Sequence, residues 1–573
     1  MSDQTSPPSS PTKFPTTDEA TWRRAAEEGK VPLEKTIEGL RISAINTASD
    51  SSSSVQHDQG AVPWSFGTLE VALPSPLPPN WPLTILAAEG VGYKINPRDL
   101  PNLIDQRAPA NPPPRLSVES SDAGDDLSAY VTYLREQPNP ENVSGAAYLP
   151  ITRLDHWQDS LVDLTLLGDL TQETNDLMHL ATITVRGDHF ERWGPWATDE
   201  LALTLSWWVA YCDQLTDHGL PIETIFGRTE LSLSTSADYF INLAKWRALR
   251  SLVGKVTDAY GLAESKLTGP RVRAVSGARN KTFYDADGNL LRNTTEALSS
   301  LLGGVDTLSL LPHDFLSTAP DPFGIRMASN AYHILQHEAY LSRVADPAAG
   351  SYFIENLTGQ LVEQSWRQFL AWEEQGGFVK LLKDGTLEAH CRPHAAERAE
   401  AVRTHRRPLI GATRYGNAQE QSDAPLDHFL SRWALPFESI RNTIDREVAQ
   451  GRTRPAVGVC VQPDEALANH RRNYVRDVLA CLGLSAPDVA PTELHASPRA
   501  LVAIVFCGTD TYYQTTVADT LRNRPGATPY WIAGGSAETV QQVRDAGGEG
   551  VLGIGHDPIA LVEPLINQWI HEA

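Results

Sequence analysis

Short β-branched runs alternating with long helical patterns constrain this chain more than any other feature. The runs are LTILAA (83–88), LVDLTLLGD (161–169), LATITV (180–185), ELSLST (230–235), VRAVSG (272–277) and DTLSLLP (306–312). The strongest helical patterns between them cover 236–258 and 324–343. Such alternation implies parallel β/α units, because parallel neighbours need a crossover long enough to hold a helix. From about residue 80 to residue 390 these units suit an eight-stranded β/α (TIM) barrel, which takes roughly 250 residues plus insertions. A second α/β pattern occupies 456–573, with strands AVGVCV, LVAIVFC, TPYWIA and GVLGIG, a weak strand near 488–495, and helices between. Parallel strands in that number imply a doubly wound, flavodoxin-like sheet.

The 573 residues suffice for two to four domains. The expected division is a disordered tail and N-terminal arm (1–60), the barrel (61–390), a linker (391–455) and the second α/β domain (456–573). Residues 1–17 are rich in Ser, Pro and Thr, and 47–60 is of low complexity. Between them Trp22, Val31, Leu33, Ile37, Leu40 and Ile42 make 20–45 a candidate arm, either for a partner or for this chain's own barrel. The helical run LTGQLVEQSWRQFLAWEEQ should stop at Gly376–Gly377.

Charge and cysteine usage narrow the function. A formal net charge of −23 argues against nucleic-acid or anionic-membrane partners, which need clustered Lys and Arg. No apolar run is long enough for a membrane span, and the first residues lack the apolar core of a signal peptide. Cys212, Cys391, Cys460, Cys481 and Cys507 are scattered, with no C-x-x-C pair. A reduced, cytoplasmic protein is expected, without a disulfide framework or zinc site.

The stretch from Val457 to Leu484 opens the second α/β pattern as strand, polar loop and helix. Val475, Val478, Leu479 and Leu482 set the helical spacing. Loops at this place in a nucleotide or cofactor domain carry glycines that let the backbone approach a phosphate. Here no glycine falls between Val459 and Leu482, and the loop offers one histidine, His470, beside Arg471 and Arg472.

Residues 341–378, LSRVADPAAGSYFIENLTGQLVEQSWRQFLAWEEQGGF, carry a recognisable motif. They resemble the methylmalonyl-CoA mutase segment R-V-x-D-P-A/G-G-S-Y-Y/F-I/V-E-x-L-T. The matching residues are Arg343, Val344, Asp346, Pro347, Gly350, Ser351, Tyr352, Glu355, Leu357 and Thr358. RRPLIGATRYGN (406–417) resembles the family segment that follows. The resemblance covers about 80–573 and is weak before residue 180. It implies an acyl-CoA barrel followed by a cobalamin-binding-type domain. It also implies either a single catalytic chain or one of two unequal subunits, of which the large one carries the active site.

Three places separate these possibilities. The family's cobalamin loop reads D-x-H-x-x-G, and ungapped alignment on LACLG (479–483) puts Ala466, Ala468 and Arg471 at its Asp, His and Gly. His470 is the remaining candidate ligand, but read from it the Asp and Gly positions are Ala468 and Asn473. An axial histidine without its orienting carboxylate is a poor ligand, so His470 is expected to face solvent. The family's Tyr-His pair at the thioester carbonyl aligns with Phe190 and Glu191, with His189 two residues off; Glu191 is expected on an exposed loop. The family's R-P-W-T-x-R-Q-x-x-G-F segment has no counterpart, and AVPWSFG (61–67) resembles the run before it, with Phe66 in place of arginine. In the last domain Cys507-Gly508-Thr509 stands where cobalamin-binding members have S-x-L, while Gly534–Gly535 matches the family's glycine pair.

The resemblance therefore implies a non-catalytic small subunit of a heterodimeric, adenosylcobalamin-dependent methylmalonyl-CoA mutase. The partner would be a homologous large subunit that holds the cofactor and the acyl-CoA and interconverts methylmalonyl-CoA and succinyl-CoA in propionate metabolism. No catalytic, cofactor-binding or metal-ligating residue is assigned to this chain. The alternatives are an active acyl-CoA mutase with altered ligation through His470 and His189, or a separate assembly or regulatory protein that docks on a mutase.

Overall fold

The computed structural model describes Arg24, short segments between 34 and 154, and most of 164–571. Within the latter span, 263–268, 318–320, 423, 425, 427–431, 492–500 and 525–527 lie outside the described residues. The strands are β1 (Glu34–Ile37), β2 (Leu40–Ser43), β3 (Thr68–Ala72), β4 (Val91–Ile95), β5 (Leu116–Glu119), β6 (Gly145–Tyr148), β7 (Leu180–Ala181), β8 (Ile183–Arg186), β9 (Thr229–Thr235), β10 (Arg271–Ser276) and β11 (Thr307–Ser309). A second group is β12 (Ala456–Val461), β13 (Leu501–Cys507), β14 (Tyr530–Ala533) and β15 (Gly550–Leu552).

The molecule is a mixed α/β structure with parallel sheets. In the larger sheet each strand from β3 to β7 pairs in parallel with the next, and so does each from β8 to β11. β7 and β8 are one run interrupted at Thr182. β11 pairs in parallel with β3, so the pairings return to the strand where they began. Leu69, Val118, Ile183, Val185, Leu231, Leu233, Val272 and Leu308 belong to one large core with Trp207, Trp208 and Trp246 from the surrounding helices.

Several sequence expectations hold in detail. The runs at 180–185, 230–235 and 272–277 coincide to within one residue at either end with β7–β8, β9 and β10, and the run at 306–312 contains β11. The helix expected at 236–258 is Tyr239–Ala259. The helix Tyr352–Glu374 stops before Gly376 and Gly377, whose φ of 115° and 76° only glycine adopts at low cost. Others need correction. In the run at 161–169, 161–163 lie outside the described residues and Thr165 begins the helix Thr165–Glu173, because Leu167, Leu170 and Thr171 bury one face at helical spacing. The helix expected over 324–343 is Pro322–His333, followed by a π turn at Ile334–Glu338 and a short 3-10 turn at Leu341–Arg343. LTILAA (83–88) lies outside the described residues.

The family-like motif at 343–358 is held by Arg247, whose side chain is 2% exposed. Its guanidinium pairs with Asp346 and donates to Glu355 at 2.7 Å. Glu355 also accepts from the Gly350 N–H at 3.0 Å. These contacts pin the turn to the first turn of the helix Tyr352–Glu374, so the motif here is a structural staple.

The smaller sheet runs β12-β13-β14-β15, all parallel. On the other side of β12, Val459 makes an isolated parallel bridge to Asp488 at the start of the weak strand expected near 488–495, and Ala456 makes one to Ser485; 492–495 lie outside the described residues. The stretch expected as a linker with a connecting helix contains two helices, the end of Thr386–Arg403 and Leu435–Ala449. Its helix Leu435–Ala449 puts Phe437, Ile440 and Ile444 into one core with Val459, Val505 and Ile559.

In the N-terminal arm, β1 and β2 form an antiparallel hairpin on this chain's own helices. Leu40 is fully buried in the large core. Gln360 brackets Arg41, accepting its N–H at 2.8 Å and donating to its carbonyl at 2.9 Å. Glu38 accepts the Ala197 N–H at 3.1 Å and pairs with Arg398. Trp22, Val31 and Leu33 lie outside the described residues. All five cysteines are buried and unpaired.

Candidate functional site

Open α/β sheets bind ligands outside the carboxyl ends of their strands. In the smaller sheet that edge is made by the loops after β12, β13 and β14. The helix Ala466–Cys481 begins without a glycine loop, and its N-cap is Glu465, whose side chain accepts the Leu467 N–H. Ala466 is thus the first helical residue. Ala468 is fully buried against the sheet. His470 is exposed and does not cap the helix.

Arg471 occupies the crevice instead. Its guanidinium donates to the Gly508 carbonyl at 2.5 Å and to Asp510 at 3.2 Å. It also lies over the Tyr513 ring at 5.3 Å, and a side-chain carbon placed on Gly534 would stand 3.8 Å from its Nε. Asp510 in turn accepts from the Ser536 N–H at 2.8 Å and the Thr539 hydroxyl at 3.1 Å. Burial works against the Asp510 charge, but these donors and Arg471 hold the carboxyl below its usual range. Gln462 accepts the Thr509 N–H at 2.9 Å and so ties the β12 loop to the β13 loop. Gly508 is needed because a side chain there would meet the Tyr512 ring at 2.3 Å. Gly534 and Gly535 have φ of 69° and 147°. The three loops therefore satisfy one another with side chains of this chain.

The larger sheet has a different interior. Arg273 on β10 donates to Glu70 on β3 at 2.6 Å, and both are 0% exposed. The Tyr148 hydroxyl on β6 donates to Glu230 on β9 at 2.6 Å. Both Arg273 and Arg186 lie over the Tyr148 ring, at 4.6 and 5.1 Å. Arg186 at the end of β8 then bonds Asp188 and Glu119, each at 2.9 Å. Charged groups thus meet across the strand ring. In a low-dielectric interior each needs such a partner.

The residues aligned with the thioester pair go to different places. Phe190 is buried among Trp193, Trp207 and Phe378. Glu191 is not on an exposed loop. It sits in a 3-10 turn, Gly187–Trp193, where its carboxylate accepts the backbone N–H groups of Arg279 at 2.9 Å and Ala278 at 3.2 Å. Burial raises its proton affinity, and those two N–H groups oppose the rise. Glu191 lines a small cleft with Glu200, Lys245 and Arg279, but Lys245 and Glu200 are paired at 2.7 Å. His189 accepts the Leu154 N–H through Nδ1 at 3.4 Å. Burial and then the Arg186 charge lower its pKa to about 4, so it is a neutral acceptor.

Sequence reading missed two groups. The ring network was hidden because Glu70, Tyr148 and Arg273 are far apart in the chain and carry no motif. A cluster of Asp199, His390 and His394 was also missed, although its two histidines are four apart in HCRPH, a readable signal.

Comparison with known proteins agrees with this architecture. The methylmalonyl-CoA mutase family model matches residues 164–436. The methylmalonyl-CoA mutase small subunit of Porphyromonas gingivalis is 27% identical over 448 residues, 72% of this chain and 71% of that one. A probable methylmalonyl-CoA mutase small subunit of Mycobacterium bovis is 32% identical over 373 residues, covering 62% of this chain and 60% of the relative. The methylmalonyl-CoA mutase of Rhizobium meliloti is 26% identical over 318 residues, 55% of this chain and 44% of that protein. Among the described residues no helix is long and apolar enough to cross a membrane. On its motif, its parallel sheets and these matches, the chain is similar to the methylmalonyl-CoA mutase family over 164–436 and, over most of its length, to proteins named as its small subunits.

Proposed function

We propose that this chain is the non-catalytic small subunit of a heterodimeric, adenosylcobalamin-dependent methylmalonyl-CoA mutase, working in the cytoplasm. A homologous large subunit would hold the cofactor and interconvert methylmalonyl-CoA and succinyl-CoA. In this reading the larger sheet is an eight-stranded β/α barrel, supported by the closed cycle of parallel pairings. The smaller sheet is a flavodoxin-like, cobalamin-binding-type domain, supported by its strand order and by the bridges flanking β12.

The observation that carries the proposal is Arg471. A cobalamin held in the family's manner needs an axial nitrogen, a carboxylate behind it and room for the corrin tail. Ala466 and Ala468 supply neither nitrogen nor carboxylate, and Arg471 takes the room with contacts to Gly508 and Asp510. The residues present do not fit the cofactor. The ring interior argues in the same direction, since Glu70, Tyr148, Glu230 and Arg273 are at most 1% exposed and already paired.

The test is to incubate the purified chain with adenosylcobalamin and pass it over a desalting column. The expected product is colourless, while a co-expressed large subunit elutes with this chain as one species and retains the cofactor. Retention of cobalamin by the isolated chain, with a nitrogen-ligated spectrum that His470→Ala abolishes, would favour the altered-mutase reading instead.

A further inference from the structure

None of Asp199, His390 and His394 belongs to the charged groups described in the larger sheet or at the edge of the smaller one. Asp199 lies in the first turn of the helix Ala197–Asp217. His390 and His394 lie on the helix Thr386–Arg403, where i and i+4 residues share a face. His390 Nε2 is 3.1 Å from Asp199 Oδ1, and His394 Nδ1 is 2.8 Å from Asp199 Oδ2. The three candidate ligand atoms all lie within 4.8 Å of one another.

We propose that these three residues form a binding site for a single zinc-class divalent transition ion, which clamps the helix Thr386–Arg403 to the helix Ala197–Asp217. Ligand atoms about 2.0–2.2 Å from a tetrahedral zinc stand roughly 3.4 Å apart, so shifts of under about 1 Å convert the cluster into a coordination set. Two imidazoles and one carboxylate suit zinc or cobalt; magnesium and calcium prefer oxygen-rich sets.

The surroundings orient each ligand. The Trp196 ring stacks on His394 with centroids 3.7 Å apart and planes 12° apart. The Trp372 ring meets His390 edge-on at 5.4 Å. Asp199 accepts the Trp196 N–H at 3.0 Å, which fixes the plane of the carboxylate. Such supporting contacts are what hold metal ligands in place. The Asp199 side chain is 6% exposed, whereas His394 and His390 are 18% and 34% exposed. Solvent can therefore deliver the ion and supply the fourth ligand. One carboxylate with two neutral imidazoles carries a single negative charge, which favours a divalent cation over an anion.

The bland alternative is a metal-free ion pair, in which a histidine proton occupies the place of the ion. Cobalt titration separates the two. Chain stripped with a chelator and titrated with Co²⁺ should develop the visible bands of a four-coordinate cobalt site, saturating at one ion per chain. Zn²⁺ should bleach the bands and raise Tm, and Mg²⁺ should do neither. His390→Ala and His394→Ala should each weaken Co²⁺ binding by at least about 100-fold, since losing even a supporting residue costs 10–100-fold. His470→Ala, at an exposed histidine elsewhere, should bind as the unaltered chain does. The proposal is overturned if the unaltered chain shows no cobalt bands and no Zn²⁺-dependent Tm shift, a result independent of how any variant folds. It is also overturned if folded His390→Ala and His394→Ala, matched to the parent by circular dichroism, keep its affinity.

Discussion

The strand ring and the edge of the smaller sheet solve the same problem in different ways. The edge of the smaller sheet is where open α/β folds leave room for a ligand, and in both regions this chain pairs its own charged side chains. In the ring, Arg273 and Glu70 are cut off from water at 0% exposure. At the sheet edge, Arg471 and Asp510 keep 19% and 36% exposure. A buried pair is costly to break because the surviving charge has nowhere to go, whereas an edge pair can fall back on water. The ring closure is thus part of the stability of the fold, and the sheet-edge closure is only a local filling.

The sharpest break of this comparison is Arg273→Met. It should lower unfolding free energy by about 3–5 kcal/mol, measured by urea denaturation, because Glu70 is left buried without its guanidinium partner. Adding Glu70→Gln should restore most of the loss. A double variant no better than the single would mean that packing, and not charge, explains the cost.

Leu40→Ala tests whether the N-terminal hairpin belongs to the ring side of the molecule. Leu40 is fully buried in the large core, so the substitution should cost about 2–5 kcal/mol by the same assay. An unchanged midpoint would release the hairpin to act as an arm for a partner.

Acid should weaken the ring mouth next. His189 has its pKa lowered to about 4, below the value it regains on unfolding. Between about pH 6.5 and 4 the unfolded chain then binds the extra proton, so stability rises with pH and falls on acidification through that window. The His189 contribution is on the order of 3 kcal/mol by about pH 4. His189→Asn, which keeps an acceptor for the Leu154 N–H, should flatten the pH dependence of the urea midpoint. His405, also lowered to about 4 and paired with the Tyr474 hydroxyl at 3.1 Å, should leave a residual slope from the side of the smaller sheet.

Arg471→Ala should cost about 1 kcal/mol or less, in contrast to Arg273→Met, because its partners regain water. A loss as large as that of Arg273→Met would erase the distinction between the two regions. The smallest expected effect is on activity. The triple variant Ala466→Asp, Ala468→His, Arg471→Gly, assayed without a partner, should form no succinyl-CoA above the blank, since Glu191 still caps the backbone after β10. Turnover by that variant would identify the chain as an altered catalyst.

The strands β7–β11 and β12–β15 were legible because β-branched runs bounded by turns have a period and a length that few other structures share. β3–β6 were not, since short segments such as GAAY carry no such signal and owe their strand form to neighbours on both sides. The missing Asp, His and Gly of the cofactor loop were readable at Ala466, Ala468 and Arg471, because a side chain's chemistry is local to its residue. What replaced them was not readable. That Arg471 reaches Gly508 and Asp510, that Glu191 turns inward to two backbone N–H groups, and that Arg273 meets Glu70 across 203 positions of sequence all depend on loop closure. Sequence by itself determined which groups are available. Only the tertiary structure decided which are desolvated and paired, because burial and partner distance belong to the packed chain and to no single residue in it.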